Sequence, residues 1–311
     1  MSSLEGKVAV VTGAGQGLGR AQALGLAARG AFVIVNDVGR SSGASHWLAD
    51  RVVDEIHAAG GKAQANRADV SDWESGRLLI EQALEATGAL DILVCNAGIE
   101  RSRMVFNMSE AEWDDVIRVH MKGHFVPTRF AASHWRERSR ATGSSVDARL
   151  IFTSSEAGLF GHAGHLSYCA SKAGIAGMTL ACARELASYG VTVNCISPRA
   201  RTPMALASFP QIAAPPGDAF DPWDARCIIP WLAFLCGPDA ARITGQLFVV
   251  YGGVVQWMKA WGVHAEISQG RLWDDASLLA AARRMLPDLT AGLDPMPELW
   301  HIPTPQETPV T

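Results

Sequence analysis

The sequence predicts one doubly wound α/β domain with a seven-stranded parallel sheet, followed by a C-terminal extension. Two observations support this class: short β-branched runs alternate with segments of helical periodicity, and a glycine-rich turn follows the first run. Repeats of this kind form parallel sheets with right-handed crossovers and helices on both faces. We place the domain at residues 1–255 and the extension at residues 256–311.

Strands and helices alternate regularly in the first half of the domain. Val8–Val11 is β-branched and ends at glycines, which is typical of a strand buried on both faces. Residues 18–29 carry apolar side chains at helical spacing and stop at Gly30. Further strands are predicted at 32–35, 62–68 and 90–95, and further helices at 44–59 and 73–87.

The alternation continues to the end of the domain. A helix is predicted from Glu110 to Val126, with Ser109 as its N-cap. The remaining strands are expected at 149–153, 191–196 and 247–250, and the remaining helices at 167–189 and 223–236.

The extension has a different composition. Residues 272–285 can form an amphipathic helix, with acidic residues near its start and arginines near its end. Six prolines between residues 287 and 309 then prevent regular structure. This tail either lies over the domain, is partly disordered, or covers a substrate pocket or a neighbouring subunit.

Composition excludes several classes of function. The net charge of −4 gives no electrostatic reason to expect nucleic acid or an acidic membrane surface as a partner. The six cysteines form no C-x-x-C pair and no metal-ligand spacing, so we expect reduced thiols and no metal. The N-terminal residues lack the pattern of a secretory signal, and no apolar stretch is long enough to span a bilayer. A cytoplasmic protein is expected.

The turn between the first strand and the first helix predicts a dinucleotide site. Gly13 permits a tight turn, Gly17 lets the backbone approach a pyrophosphate, and Gly19 allows close packing of helix on sheet. The N–H groups at the start of the helix can then bind phosphate oxygens. The predicted cofactor contacts of this turn are Gly13, Gln16, Gly17, Leu18 and Gly19.

Strand ends supply the other predicted cofactor contacts. Asp37 ends the second strand, where its carboxylate can accept hydrogen bonds from the adenosine ribose and repel a 2′-phosphate, so NAD is predicted over NADP. Arg40 lies nearby and could weaken this preference. Asp69 either meets the adenine or caps the next helix, and the Asn96, Ala97 and Gly98 segment passes close to the cofactor or forms an ordinary turn.

Three residues predict acid–base chemistry beside that cofactor. Tyr168 and Lys172 are four residues apart in a predicted helix and therefore share a face. A free tyrosine has a pKa of about 10, but a neighbouring ammonium, the positive end of the helix and an oxidised nicotinamide would lower this pKa. Ser155 can hydrogen-bond the substrate oxygen, with Ser154 as the competing serine. The set predicts proton transfer to or from an alcohol oxygen.

These motifs together resemble the short-chain dehydrogenase/reductase family, over roughly residues 5–255. The likeness comprises TGAGQGLG, Asp69 with Val70, NAG at 96–98, Ser155, YCASK at 168–172 and the strand ending Ile196-Ser-Pro198. The segments VNDVGR, GGKAQAN, NAGIERSR and RVHMKGHF are most similar to the 3-hydroxyacyl-CoA dehydrogenase module of multifunctional β-oxidation enzymes, a branch that includes 17β-hydroxysteroid dehydrogenase activity of type 4. The resemblance implies a single Rossmann domain.

The resemblance also implies roles for individual residues. Ser155, Tyr168 and Lys172 would be catalytic, and His120 stands where most members have a proton-relay asparagine. The carbonyl of that residue holds a water, so His120 could keep the role, titrate, or take no part. Arg199 stands where the family usually has glycine. Cofactor contacts implied in the same way are those of Asp69, Val70, Asn96, Ala97, Gly98, Tyr168, Lys172, Pro198 and Thr202.

The resulting expectation is an NAD(H)-dependent oxidoreductase that interconverts a secondary alcohol and a ketone. The expected substrate is a 3-hydroxyacyl-CoA or a hydroxysteroid-like lipid. The alternatives are an NADPH-dependent 3-oxoacyl carrier-protein reductase and a non-catalytic, cofactor-binding regulator. Side chains expected to flank the cleft, or to be plain core, are Phe106, Leu159, Phe160, His162 and Met204.

Small residues on the helix at 168–189 predict self-association. They allow another helix to approach closely, so a homodimer or homotetramer is expected. The small residues are Ala170, Ala173, Gly174, Ala176 and Gly177.

Overall fold

Strands and helices alternate through most of the chain. A computed structural model describes residues 3–40, 46–209, 212, 214, 219–259 and 261–286. The strands are β1 (Val8–Thr12), β2 (Phe32–Asn36), β3 (Lys62–Asn66), β4 (Ile92–Cys95), β5 (Ala148–Thr153), β6 (Val191–Pro198), β7 (Leu247–Tyr251) and β8 (Val254–Met258). The helices are α1 (Gly17–Ala27), α2 (Leu48–Ala58), α3 (Trp73–Thr87), α4 (Glu110–Ile117), α5 (Gly123–Thr142), α6 (Glu156–Phe160), α7 (Leu166–Leu186), α8 (Pro203–Ser208), α9 (Ile229–Cys236) and α10 (Asp275–Met285).

The strands form one sheet in the order β3-β2-β1-β4-β5-β6-β7-β8. The pairs from β3 to β7 are all parallel, which confirms the predicted seven-stranded parallel sheet. The strand order reverses between β1 and β4, and ligands of doubly wound sheets bind in the crevice at the carboxyl ends of such strands. The fold therefore fixes where a cofactor site should lie.

An eighth strand was not predicted. β8 pairs antiparallel with β7, and Tyr251 stands opposite Val254. Gly252 and Gly253 form the two-residue turn, both with positive φ, which is the backbone a tight hairpin needs. The Gly-Gly pair between two β-branched segments was the sequence signal for this hairpin.

The helix predicted at 110–126 is longer and interrupted. α4 begins with a capping box in which Ser109 and Glu112 exchange hydrogen bonds, as the expected N-cap requires. A π-helical turn, Arg118–Lys122, then separates α4 from α5. α5 continues through Pro127 to Thr142 because its inner face is buried, with the Trp135 indole donating to the Leu90 carbonyl at 2.7 Å.

Alternate residues of the strands fill two apolar layers, one on each face of the sheet. Ala9 and Val11 of β1 pack on the face covered by α1, α2 and α9. Val8 and Val10 pack on the opposite face, beneath α3, α5 and α7. This double coverage explains why the predicted strands are apolar runs rather than alternating sequences.

The described residues through 258 form one compact unit, and those from 259 to 286 belong to a second. The second unit contains α10, whose N-cap Asp274 accepts a hydrogen bond from the Ser277 N–H at 2.8 Å. The predicted division at residues 255 and 256 stays a prediction. The first residues of the helix predicted at 44–59 and the proline-rich stretch at 287–309 lie outside the described residues.

Candidate active site

The phosphate turn has the shape that a dinucleotide needs. Gly13 has φ of +62°, and a Cβ built on it would lie 2.7 Å from the Ala97 Cα. Gly17 has φ of +54°, and its Cβ would lie 3.2 Å from the Thr202 side chain. Within the described chain, no side chain caps α1 and its first turn holds no acidic residue. Its N–H groups can therefore receive a phosphate, and the residues present fit a dinucleotide.

The segment Asn96 to Gly98 is joined to that turn. The Asn96 amide donates to the carbonyls of Thr12 and Gly13 at 3.1 and 3.3 Å, and the Thr12 hydroxyl accepts from the N–H groups of Asn96 and Ala97. These bonds hold the carboxyl ends of β1 and β4 together. The segment thus lies beside the phosphate turn and the first turn of α1, where a Cβ built on Gly19 would lie 2.7 Å from the Asn96 Nδ2.

Asp37 is fixed at the carboxyl end of β2. Its Oδ2 accepts from the Gly15 N–H at 2.8 Å and its Oδ1 from the Gly39 N–H at 2.7 Å. The carboxylate is thereby held against the phosphate turn. The Arg40 guanidinium lies 4.0 Å from the centroid of the Trp47 ring, a cation–π contact.

Asp69 does not cap the next helix. The N-cap of α3 is Asp72, which accepts from the Ser75 N–H at 2.8 Å. Asp69 instead accepts from the N–H and hydroxyl of Ser71 and from Arg118. Burial raises the pKa of Asp69, but the bonds from Ser71 and the Arg118 charge outweigh it and lower this pKa. Val70, beside it, is buried.

Ser155, Tyr168 and Lys172 converge where β5 ends. The Lys172 ammonium donates to the Thr153 carbonyl at 2.7 Å and lies 5.5 Å from the centroid of the Tyr168 ring. The Ser155 side chain interacts with the Tyr168 phenol. Ser154 is buried and donates to the Lys172 carbonyl at 2.8 Å, so Ser155 is the serine that faces the phenol.

The predicted lowering of the Tyr168 pKa is absent from the protein alone. Burial raises this pKa to about 12, an effect that the Ser155 contact reduces and the charge of Glu100 increases. Burial also lowers the pKa of Lys172 to about 8. Both shifts have one cause, because a desolvated pocket disfavours the charged form of each group.

His120 lies beside Tyr168, in the π-helical turn. Its Nε2 is 2.7 Å from the Ile99 carbonyl oxygen, and its ring meets that of Tyr168 edge-on with centroids 5.2 Å apart. Burial and the Lys172 charge lower the pKa of His120 to about 3, so its imidazole stays neutral at working pH. Burial therefore favours a neutral imidazole over a titrating one, and the role of His120 stays a prediction.

Two buried features were not foreseen. Glu156 and Arg199 form a bidentate ion pair at 2.5 and 2.7 Å, directly after Ser155 and Pro198 in the sequence. Arg199 also lies 4.0 Å from the centroid of the Tyr251 ring. His124 is fully buried, 6.5 Å from His120 between ring centroids. The sequence signal for the ion pair was the replacement of the expected glycine by Arg199.

The remaining predicted residues are spread around the cleft. Thr202 is the N-cap of α8 and accepts from the Ala205 N–H at 3.1 Å. Phe106 and Phe160 are exposed, and His162 contacts His165. Pro198 ends β6, Leu159 lies in α6, and Met204 lies in α8; all three are half-buried. No group of metal-binding side chains occurs among the described residues, and no described helix is long and apolar enough to cross a membrane.

Sequence comparison identifies the family of the chain and several of its relatives. A profile of the short chain dehydrogenase family matches residues 7–211. The hydroxyacyl-CoA dehydrogenase ChsB1 of Mycobacterium tuberculosis is 48% identical over 302 residues, 94% of this chain and 92% of that protein. The peroxisomal hydratase-dehydrogenase-epimerase of Neurospora crassa is 39% identical over 265 residues, which cover 83% of this chain but only 28% of that longer protein.

A solved structure of a short chain dehydrogenase has a closely similar fold. The crystal structure of a short chain dehydrogenase from Mycobacterium avium has a TM-score of 0.83 and 43% sequence identity, and covers 94% of this chain and 98% of that one. Fold and site together define a nucleotide-dependent oxidoreductase with a Ser-Tyr-Lys arrangement. The chain belongs to the short chain dehydrogenase family, whose cofactor is NAD or NADP, and this confirms the predicted family.

Proposed function

We propose that the protein is an NAD(H)-dependent dehydrogenase that interconverts a secondary alcohol and a ketone on a 3-hydroxyacyl-CoA or a hydroxysteroid-like lipid. The observation that carries the proposal is the placement of the Tyr168 phenol beside Ser155 and one turn from Lys172, at the same sheet edge as the phosphate turn. The acyl-CoA class is supported by the similarity to ChsB1 along nearly the whole chain.

Each catalytic side chain has a distinct task in this proposal. Ser155 hydrogen-bonds the substrate oxygen and holds it beside Tyr168. Tyr168 takes the alcohol proton in oxidation and returns it in reduction. Lys172, held by the Thr153 carbonyl, provides the positive charge that stabilises the phenolate. A bound nicotinamide supplies the hydride acceptor or donor.

The choice of NAD rests on Asp37. Its carboxylate is held by two backbone N–H groups at the end of β2 and would repel the 2′-phosphate of NADP. The cation–π contact of Arg40 with Trp47 holds this guanidinium against an apolar ring. This contact supports the assignment of Asp37 as the residue that determines cofactor preference.

Turnover measurements test the substrate class. With NAD, the wild-type protein should oxidise 3-hydroxyacyl-CoAs or hydroxysteroids faster than simple secondary alcohols. The rate of oxidation is measured by the fluorescence of the NADH that forms. Turnover of 3-oxoacyl carrier protein with a strong NADPH preference would instead favour the alternative reductase. No turnover of any alcohol with either nucleotide, in a protein that binds NADH, would contradict the proposal.

A substitution tests the cofactor assignment separately. Asp37→Asn keeps the size of the side chain and removes its charge, so the ratio of kcat/KM with NADP to that with NAD should rise. The control is Asp54→Asn, on the exposed face of α2, which should leave the ratio unchanged. An unchanged ratio in Asp37→Asn contradicts the role of Asp37.

A further inference from the structure

A second cluster of titratable side chains lies beside the catalytic residues. The Glu100 Oε1 and the His165 Nε2 are 2.6 Å apart, and both side chains are largely buried, with exposed fractions of 15% and 14%. The Ser102 hydroxyl donates to Glu100 at 2.8 Å. The Ser208 hydroxyl donates to the same carboxylate at 3.3 Å. The pair therefore has one polar partner in the Glu100 segment and one in α8.

The cluster joins three elements that carry the candidate site. Glu100 follows Ile99, whose carbonyl contacts His120. His165 is the residue that precedes α7, three positions before Tyr168, and its carbonyl accepts from the Cys169 N–H at 2.8 Å. Ser208 is the last residue of α8, the helix that begins near the phosphate turn.

The pair also contributes charge beside the phenol. The charge of Glu100 raises the pKa of Tyr168. The hydrogen bond that His165 donates to Glu100 raises the pKa of His165, so the imidazolium that compensates this carboxylate is favoured. Burial raises the pKa of Glu100, but contacts with His165 and the two serines outweigh it and lower this pKa. Among the residues that the structure describes, His162, Tyr168 and Cys169 are the other titratable groups that face the pair.

We propose that Glu100 and His165 are positioning residues of the reaction: their ion pair orients the first turn of α7, ties α8 to it, and sets the charge next to the Tyr168 phenol. The inference rests on the proposed function, because it assigns proton transfer to Tyr168. It adds two residues that lie outside the Ser-Tyr-Lys arrangement and act through Tyr168 and through α8.

The pair has a defined pH range. Because the pKa of His165 is raised above its ordinary 6.5, the pair is complete below that value and is lost as the pH rises through the folded-state pKa. Because the pKa of Glu100 is lowered below its ordinary 4.5, the pair is lost on the acid side only below that value. The pair therefore holds from mildly acidic to near-neutral pH.

Two substitutions separate the charge of Glu100 from the ion pair. Glu100→Gln removes the negative charge and should lower the pKa of Tyr168. The chain has only three tyrosines, so the ring resonances can be assigned and the phenol titrated by NMR without substrate. At the alkaline pH where the phenol titrates, His165 is already neutral, so His165→Gln should leave the Tyr168 pKa unchanged. It should instead raise KM severalfold at mildly acidic pH, where the pair is complete, and much less at alkaline pH. An unchanged Tyr168 pKa in Glu100→Gln, or a KM that rises equally at both pH values in His165→Gln, would overturn the proposal.

The link to α8 is tested by kinetics. Ser208→Ala removes the hydrogen bond to Glu100 and should raise KM severalfold, with kcat and the Tyr168 titration unchanged. Glu55→Gln, which breaks an exposed ion pair with Arg20, is the control and should change none of these quantities. An unchanged KM in Ser208→Ala removes the link to α8. The titration of Tyr168 needs no substrate, so its result does not depend on the turnover assays that test the proposed function. A failure of the proposed function can therefore be distinguished from a failure of this inference.

Discussion

Burial of the Lys172 side chain in the candidate site destabilises the folded protein at pH values where this lysine is charged. Its ammonium is almost fully buried, and burial lowers its pKa from 10.5 to about 8. Between these values the unfolded chain binds more protons than the folded protein, so stability should rise with pH across this interval. A shift of this size corresponds to about 3 kcal/mol.

Replacing the lysine tests this cost. Lys172→Met removes the titrating group, so its free energy of unfolding relative to wild type should be most favourable below pH 8 and should decline by up to about 3 kcal/mol as the pH rises to 10.5. Urea unfolding at a series of pH values measures this difference. A difference independent of pH would show that Lys172 titrates normally. The variant should also lose activity, because the phenolate loses its cation.

Tyr168 is the residue on which the proposed chemistry depends. Tyr168→Phe keeps the ring that packs against His120 and deletes only the hydroxyl. Turnover should fall by about 10²- to 10⁴-fold, the range typical of lost general acid–base catalysis, while NADH binding is retained. Tyr189→Phe is the matched control and should keep full activity. Turnover of Tyr168→Phe within a fewfold of wild type would exclude Tyr168 as the proton-transfer group.

At the scale of elements, local signals located the parallel strands and most helices. The runs at Val8–Val11 and 32–35 were recognisable because strands buried on both faces are apolar throughout. The π-helical turn and the continuation of α5 through Pro127 were not, because they depend on tertiary burial of Trp135 rather than on local preference. The helices α6 and α8 were not predicted either, because they are only five and six residues long and too short to show a helical pattern in the sequence.

The Glu156–Arg199 pair links two of these elements. It joins the start of α6 to the residue after β6, so it fixes both Ser155 and the strand end near Pro198. Breaking a buried ion pair by removing one partner is strongly destabilising, so Glu156→Gln should lower the free energy of unfolding by about 3–5 kcal/mol. Urea unfolding measures this, and Glu55→Gln in the exposed pair with Arg20 should show a much smaller change. Similar losses in both variants would contradict the special role of the buried pair.

The predicted site residues could be picked out of the sequence because they occur in motifs at strand ends and helix starts. The phosphate turn, Asp37 and the Ser-Tyr-Lys arrangement each follow a recognisable strand or open a helix. Glu100 and His165 could not be paired from the sequence, because 64 residues lie between them. Glu100 follows β4, whereas His165 lies after β5, just before α7. Their contact exists only once β4 and α7 are assembled, and no local pattern records it.

Self-association is the remaining prediction for the whole molecule. Of the small residues predicted for this role, Ala170, Ala173 and Gly177 lie with Ala181 on one face of α7 and are exposed or half-buried. Ala176 is buried, and Gly174 packs against Met121 of the same domain. A Cβ built on Gly177 would meet nothing within 4 Å, so nothing in the described chain requires glycine there. Glycine in a helix interior costs about 1 kcal/mol relative to alanine. Close packing by a second copy of α7 would explain the small residues.

The mass in solution tests this explanation. The wild-type protein should have a mass of two or four times 33.2 kDa by light scattering. Gly177→Gln should reduce that mass without unfolding the chain, since glutamine favours helix more than glycine does. Ala86→Gln, at an exposed site on α3, is the matched control and should keep the wild-type mass. A monomeric wild-type protein would refute self-association, and an unchanged assembly in Gly177→Gln would place its interface away from this face of α7.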